Sequence, residues 1–351
     1  MDQSMRHFVL TLVALCVLVS MPTRSVAAPA TQIVRTEFRI PGAAPDLTLY
    51  LRNKRLGGTR TFGPSRTVLF VHGATYPAST TFDLALDGKS WMDELAREGF
   101  DVWLVDLQGY GQSTRPKAMD GPPEAAEPVE TTEQAQADVG RAVDFILQTR
   151  KLDKLDLIGW SWGTVLTAGY TAANNSKVER LVLYAPVWIN PTPGKAGPLQ
   201  HFDAYRLVTP QAAFDRWMAG VPEAEKSTLL PTGWFDTWRE ATWATDPQAG
   251  QHNPPMLRGP LGVYFDVDRY WKHNRPMWDP AQIKVPVMLA VGEWDNDQPP
   301  ARGEAIFPLL INAPWKQFVM IGKATHMMML ESRRQQLFDA TYAFLVRTDA
   351  K

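Results

Sequence analysis

The stretch Leu155-Asp156-Leu157-Ile158-Gly159-Trp160-Ser161-Trp162-Gly163 constrains this chain more than any other. An apolar run of strand type reaches Gly-x-Ser-x-Gly and passes at once into a helix-forming segment, residues 162–173. A serine at so sharp a strand-to-helix bend stands above a sheet with its hydroxyl exposed, and flanking glycines let the backbones pass closely. The pentapeptide alone is a weak pattern. The strand before it and the helix after it make Ser161 a candidate nucleophile rather than a structural turn.

A serine hydroxyl needs a base to take its proton, and histidine, with a pKa of about 6.5, is the usual one. Of His72, His201, His252, His273 and His326, only His326 follows the last predicted strand, in Gly322-Lys323-Ala324-Thr325-His326, ahead of a terminal helix. The base needs a carboxylate to hold its tautomer. Asp295 closes the run Val287-Met288-Leu289-Ala290-Val291-Gly292-Glu293-Trp294-Asp295 and is the preferred acid, with Asp297 in reserve. Donors for a developing oxyanion are expected from the backbone N–H of Trp162 and from that of Ala74, or else Thr75, in the loop His72-Gly73-Ala74-Thr75. His72 itself is read as a brace for that loop.

Strand patterns at residues 33–40, 47–51, 67–71, 101–105, 155–158, 181–184, 285–291 and 316–321 alternate with helical patterns at 90–98, 133–148, 162–173, 302–310 and 332–345. Such alternation predicts an α/β fold with a mostly parallel sheet flanked by helices. Continuous apolar runs such as Val68-Leu69-Phe70-Val71 suit strands covered on both faces. The motif order assigns residues 31–186 and 281–351 to one core. Residues 187–280 show no convincing strand pattern and concentrate Trp188, Trp217, Trp234, Trp238, Trp243, Trp271 and Trp278. They are read as an inserted, mainly helical cap whose tryptophans fill a core and wall an apolar pocket, with Trp160, Thr75 and Trp188 expected to touch substrate.

With these motifs in this order, the chain resembles the α/β-hydrolase superfamily over about residues 36–345. The resemblance rests on the serine turn, on His72-Gly73, on Asp106-Leu107-Gln108-Gly109-Tyr110-Gly111-Gln112-Ser113, on Gly292-Glu293-Trp294-Asp295 and on the His326 loop. The order Ser, Asp, His is the superfamily's own. The resemblance implies an eight-stranded sheet, a cap after the sixth strand, and hydrolysis with neither metal nor organic cofactor. Trp160-Ser161-Trp162-Gly163 is also similar to proline iminopeptidases and related capped esterases. Relatives with a carboxylate nucleophile, the dehalogenases and most epoxide hydrolases, carry Asp where this chain has Ser161, which disfavours their reactions.

The N-terminus reads as a secretory signal peptide at residues 1–27, with cleavage between 27 and 30. Arg6 precedes an apolar run over residues 8–19, too short for a membrane anchor, and the small residues Ser25, Ala27 and Ala28 follow. The mature protein is therefore expected to be secreted or periplasmic. The chain's one cysteine, Cys16, falls within the leader, so the mature protein has no cysteine to form a disulfide. A formal net charge of -1 gives no electrostatic reason to invoke nucleic acid or an anionic membrane. Nothing in the sequence specifies an oligomeric state.

Other motifs fail on inspection. Gly88-Lys89-Ser90 lacks the glycine a phosphate-binding loop needs at Asp83, Gly109-Tyr110-Gly111 is followed by Thr114 in place of a third glycine, and no His-Glu-x-x-His occurs. Met327-Met328-Met329 is read as core or pocket wall. The preferred function is hydrolysis of a small, largely apolar ester by way of an acyl-enzyme on Ser161. The alternatives are an aminopeptidase, which needs a cap carboxylate such as Glu223, Glu225, Asp236, Glu240, Asp266 or Asp268, and a non-catalytic binding protein.

Overall fold

Strands that carry apolar side chains on both faces must lie inside a sheet covered on both sides, and Thr67–Val71 and Leu155–Trp160 are buried along their whole length. The fold is described from a computed structural model covering residues 32–189 and 198–348. The expected signal peptide lies outside the described residues.

The strands are β1 (Ile33–Pro41), β2 (Thr48–Leu56), β3 (Thr67–Val71), β4 (Asp101–Asp106), β5 (Leu155–Trp160), β6 (Val178–Tyr184), β7 (Tyr205–Val208), β8 (Leu257–Pro260), β9 (Val287–Gly292) and β10 (Lys316–Ile321). Eight of them form one sheet in the order β1-β2-β4-β3-β5-β6-β9-β10. β2 runs antiparallel to β1 and β4, and every other pairing in the sheet is parallel. This is the mostly parallel eight-stranded sheet that the resemblance implied.

The main helices are α1 (Trp91–Arg97), α2 (Thr132–Arg150), α3 (Trp162–Ala173), α4 (Pro210–Met218), α5 (Trp234–Trp243), α6 (Gly262–Arg269), α7 (Pro300–Ile306) and α8 (Arg334–Val346). Local sequence explains their starts. Ser90 and Asp93 form a reciprocal capping box at α1, as Thr131 and Gln134 do at α2. Ser90 and Asp83, the residues of the failed phosphate-loop match, instead bond to each other at 2.7 Å. The helix expected over residues 302–310 gives way at Phe307 to a tighter turn, because Pro308 has no N–H to continue the ladder.

β6 and β9 are neighbours in the sheet, so the chain between them is an insertion. It contains α4, α5 and α6, but also a feature the sequence reading did not anticipate: β7 and β8 pair antiparallel, with Tyr205 opposite Pro260 and Val208 opposite Leu257. Each strand has four residues, too few for a period to show, and Gly259 and Pro260 disguise the second. The insertion is tied to the core by edge-to-face aromatic rings. Trp238 is wholly buried, with ring centroids 5.1 Å from Trp217, 5.9 Å from Trp243 and 4.8 Å from Tyr76 of the β3 loop. Trp238→Ala is expected to lower stability by about 3–5 kcal/mol, the range for truncating a fully buried aromatic, as read from urea unfolding.

Candidate active site

Ser161 sits between β5 and α3 with φ 54 and ψ −125, a conformation few residues other than glycine adopt. The turn is possible only because two backbones nearly touch. A Cβ on Gly163 would lie 2.4 Å from the Val71 carbonyl oxygen, and one on Gly73 would lie 2.7 Å from the Ser161 Cβ. The Ser161 N–H donates to the Tyr184 carbonyl at 2.9 Å, which anchors the bend to β6. Trp162 opens α3, where its N–H has no intrahelical carbonyl to reach. Neither this N–H nor that of Ala74 has a hydrogen-bond acceptor among the described residues. Both residues line one cavity of about 390 Å³ with Ser161.

His326 and Asp295 come from the loops after β10 and β9, and the parallel pairing of those strands brings them together. His326 Nδ1 lies 2.9 Å from Asp295 Oδ2. An ionised carboxylate only accepts, so Nδ1 carries the proton and Nε2 is left with a lone pair. Asp295 Oδ1 accepts from the Gln298 N–H at 2.7 Å, so both oxygens are held. Asp297, the reserve acid, is engaged elsewhere: its Oδ2 accepts from Arg216 Nε at 2.7 Å. Ser161, Asp295 and His326 are 7%, 3% and 7% exposed, buried beneath the cavity floor with only a small accessible face. Among the described residues the Ser161 hydroxyl makes no hydrogen bond, a contact that commonly tightens only when substrate binds.

Several groups that hold this arrangement were missed by the sequence reading. The His326 carbonyl accepts from Trp160 Nε1 at 3.0 Å and from the Tyr184 hydroxyl at 2.8 Å, which fixes the loop from two strands. Glu331 is fully buried and receives the Thr325 N–H at 3.1 Å, the Thr325 hydroxyl, and Trp217 Nε1 from the insertion at 2.9 Å. His72, by contrast, is marked by the sequence as a brace for the Ala74 loop; its Nδ1 meets the Gly73 carbonyl at 2.6 Å and its Nε2 accepts from the Leu107 N–H at 3.0 Å. Burial pushes the His72 pKa down, consistent with a neutral ring, although Asp106 opposes the shift. His201, His252 and His273 are exposed.

The expected substrate contacts divide. Trp188 lines the large cavity, and Trp160 lines a second, narrow space of about 20 Å³ with Tyr76, Trp217, Trp238, His326 and Met327. Thr75 lines neither: it is 2% exposed, and its hydroxyl accepts from Arg206 Nη2 at 2.7 Å. Its φ of 81 turns the chain just after Ala74. Arg216 and Asp297 border both spaces, and their ion pair stands between the apolar niche and the larger chamber. Among the described residues no group of three His, Cys, Asp or Glu side chains is placed to hold a metal.

Burial raises the Glu331 carboxyl from 4.5 to about 7, against the three hydrogen bonds it accepts. Between those values the unfolded chain has released this proton and the folded chain retains it. Stability therefore falls as pH rises through that window and levels off above it. Glu331→Gln is expected to flatten this dependence, which amounts to at most roughly 3 kcal/mol, in urea unfolding measured between about pH 4.5 and pH 8.

A family model for the alpha/beta hydrolase fold matches residues 66–332. A search among curated proteins returns no match. Solved structures with the same fold include a thermophilic esterase from Thermogutta terrifontis, 18% identical, covering 88% of this chain and 98% of that one with a TM-score of 0.56. A serine hydrolase from Cycloclasticus zankles is 13% identical, covering 89% and 98% with a TM-score of 0.59. The 2-hydroxy-6-oxo-6-phenylhexa-2,4-dienoate hydrolase from Rhodococcus sp. strain RHA1 is 17% identical, covering 90% and 100% with a TM-score of 0.57. With the family model spanning most of the sheet and the serine turn at its centre, the chain belongs to the alpha/beta hydrolase fold family.

Proposed function

We propose that the protein is a serine hydrolase that cleaves a carboxylic ester through an acyl-enzyme on Ser161. The observation that carries this reading is the 2.9 Å contact of His326 Nδ1 with Asp295 Oδ2, together with a serine raised on a strained strand-to-helix turn at the end of β5. In the first half-reaction His326 Nε2 takes the Ser161 proton as Oγ bonds to the substrate carbonyl carbon. The N–H groups of Ala74 and Trp162 receive the oxyanion, and Asp295 stabilises the imidazolium. The imidazolium then gives its proton to the departing alkoxide. In the second half-reaction His326 takes a proton from water, the hydroxide attacks the acyl carbon, and the carboxylic acid leaves as Ser161 recovers its proton.

The apolar niche walled by Tyr76, Trp160, Trp217 and Trp238 supports an apolar group on one side of the scissile bond. An aminopeptidase would need a free carboxylate for the substrate amine. Of the six candidates, none lines either cavity: Asp266 accepts from the Thr132 N–H, Asp268 holds Lys272, Glu225 holds Lys323, and the remaining three form exposed pairs. Placement of the mature protein outside the cytoplasm rests on the pattern of residues 1–30.

Ser161→Ala is expected to abolish turnover of p-nitrophenyl esters while leaving the unfolding midpoint close to that of the parent; retained turnover would remove Ser161 from the reaction. Asp295→Asn is expected to lower kcat about 10⁴-fold, because the imidazole loses its required tautomer, whereas Asp297→Asn costs less than about 10-fold. Faster release of p-nitroaniline from prolyl amides than of p-nitrophenol from esters would replace the esterase reading with the peptidase one.

A further inference from the structure

The chamber above Ser161 is not evenly apolar. Its wall contains three cationic side chains, Arg216, Lys272 and Arg302, against one carboxylate, Asp297. Two of the cations are matched: Arg216 by Asp297 at 2.7 Å and Lys272 by Asp268 at 2.9 Å. Arg302, half-buried on α7, makes no ion pair among the described residues. Its Nη1 donates to two neutral acceptors, the Gln298 Oε1 at 2.8 Å and the Trp188 carbonyl at 3.3 Å. Its Nε and Nη2 have no acceptor among the described residues. A guanidinium carries five N–H donors in a fixed plane, so the edge bearing Nε and Nη2 remains available in the geometry that grips a carboxylate with two parallel bonds.

The surroundings favour use of that edge. Burial lowers the Arg302 pKa from its ordinary value, opposed by the more distant charges of Asp295 and Asp297, so the cation is partly stripped of water without a contact anion in return. The Gln298 and Trp188 contacts fix the plane, which removes much of the entropy a free arginine would lose on binding. Val187, Val263, Val267 and Trp271 supply apolar wall in the same chamber.

Resting on the serine-hydrolase reading above and narrowing its substrate class, we propose that the chamber takes an ester with a terminal carboxylate on a short apolar chain, and that Arg302 is the specificity-determining residue that binds it. The carboxylate end lies toward α7 and the ester carbonyl over Ser161. A wholly apolar ester would leave the Arg302 edge desolvated and unpaired, which disfavours it in this chamber.

The test compares p-nitrophenyl butyrate with the p-nitrophenyl monoesters of succinic, glutaric and adipic acids. The expected result is a higher kcat/KM for at least one monoester than for butyrate, with a preference that shrinks as salt rises. Arg302→Met is expected to lower the monoester-to-butyrate ratio by roughly 10- to 100-fold, the worth of hydrogen bonds to a charged group, and Arg302→Lys by less. A ratio unchanged in Arg302→Met overturns the proposal; should that variant fail to fold, an unchanged ratio in Arg302→Lys together with a salt-independent ratio in the parent does the same. Calorimetric titration of Ser161→Ala with monomethyl glutarate separates this proposal from the one beneath it. Binding to Ser161→Ala that the added Arg302→Met change abolishes, when the parent protein itself hydrolyses none of the esters, keeps the carboxylate site and overturns the hydrolase reading. Brisk butyrate hydrolysis with neither monoester preference nor monomethyl glutarate binding keeps the hydrolase and overturns the site.

Discussion

The close passage of the α3 N-terminus over the ends of β3 and β5 is the contact on which the rest of this molecule depends. With no side chain at 73 or 163, the Val71 and His72 carbonyls come within a distance of the helix that no Cβ could share. That proximity sets three things at once: Ser161 at the chamber wall, the Trp162 N–H at the helix start, and the Ala74 N–H from the neighbouring loop. Backbone strain at Ser161 is the free-energy counterpart of this convergence, held in place by a sheet buried on both faces.

The second half of the proposed machinery is built from long-range polar ties rather than from a tight turn. β9 and β10 bring Asp295 and His326 to the same edge, but the orientation of the imidazole also depends on its own carbonyl being held by Trp160 and Tyr184. Glu331 extends the chain of contacts outward, because it grips the Thr325 backbone with one oxygen and the Trp217 indole of the insertion with the other. Through Glu331 the insertion is thereby hydrogen-bonded to the histidine loop.

The sequence made the sheet readable because its central strands are long apolar runs with little room for another reading, and made the serine turn readable because glycine at 159 and 163 has a steric cause. His326 stands out in the sequence by its place after the last strand, and Asp295 ranks above Asp297 because it directly follows the strand and turn. What stayed hidden depends on partners far apart in the chain. The bond between Arg302 and the Trp188 carbonyl spans 114 residues, that between Trp217 and Glu331 also spans 114, and neither leaves a local pattern. The ribbon of β7 and β8 was invisible for a different reason, since four-residue strands carry too little periodicity. Thr75, expected at the substrate, has its hydroxyl bonded to Arg206, 131 residues away, another tie that leaves no local pattern.

The ion pair of Arg216 and Asp297 joins α4 of the insertion to the loop after β9 and stands at the boundary of both cavities. With its side chains 34% and 23% exposed, it is reached by dissolved ions, and its strength declines as they accumulate. The divider between niche and chamber is thus softer than the aromatic walls around it. Dissolved salt therefore acts on this one element of the cavity walls and leaves the buried aromatic rings beside it untouched.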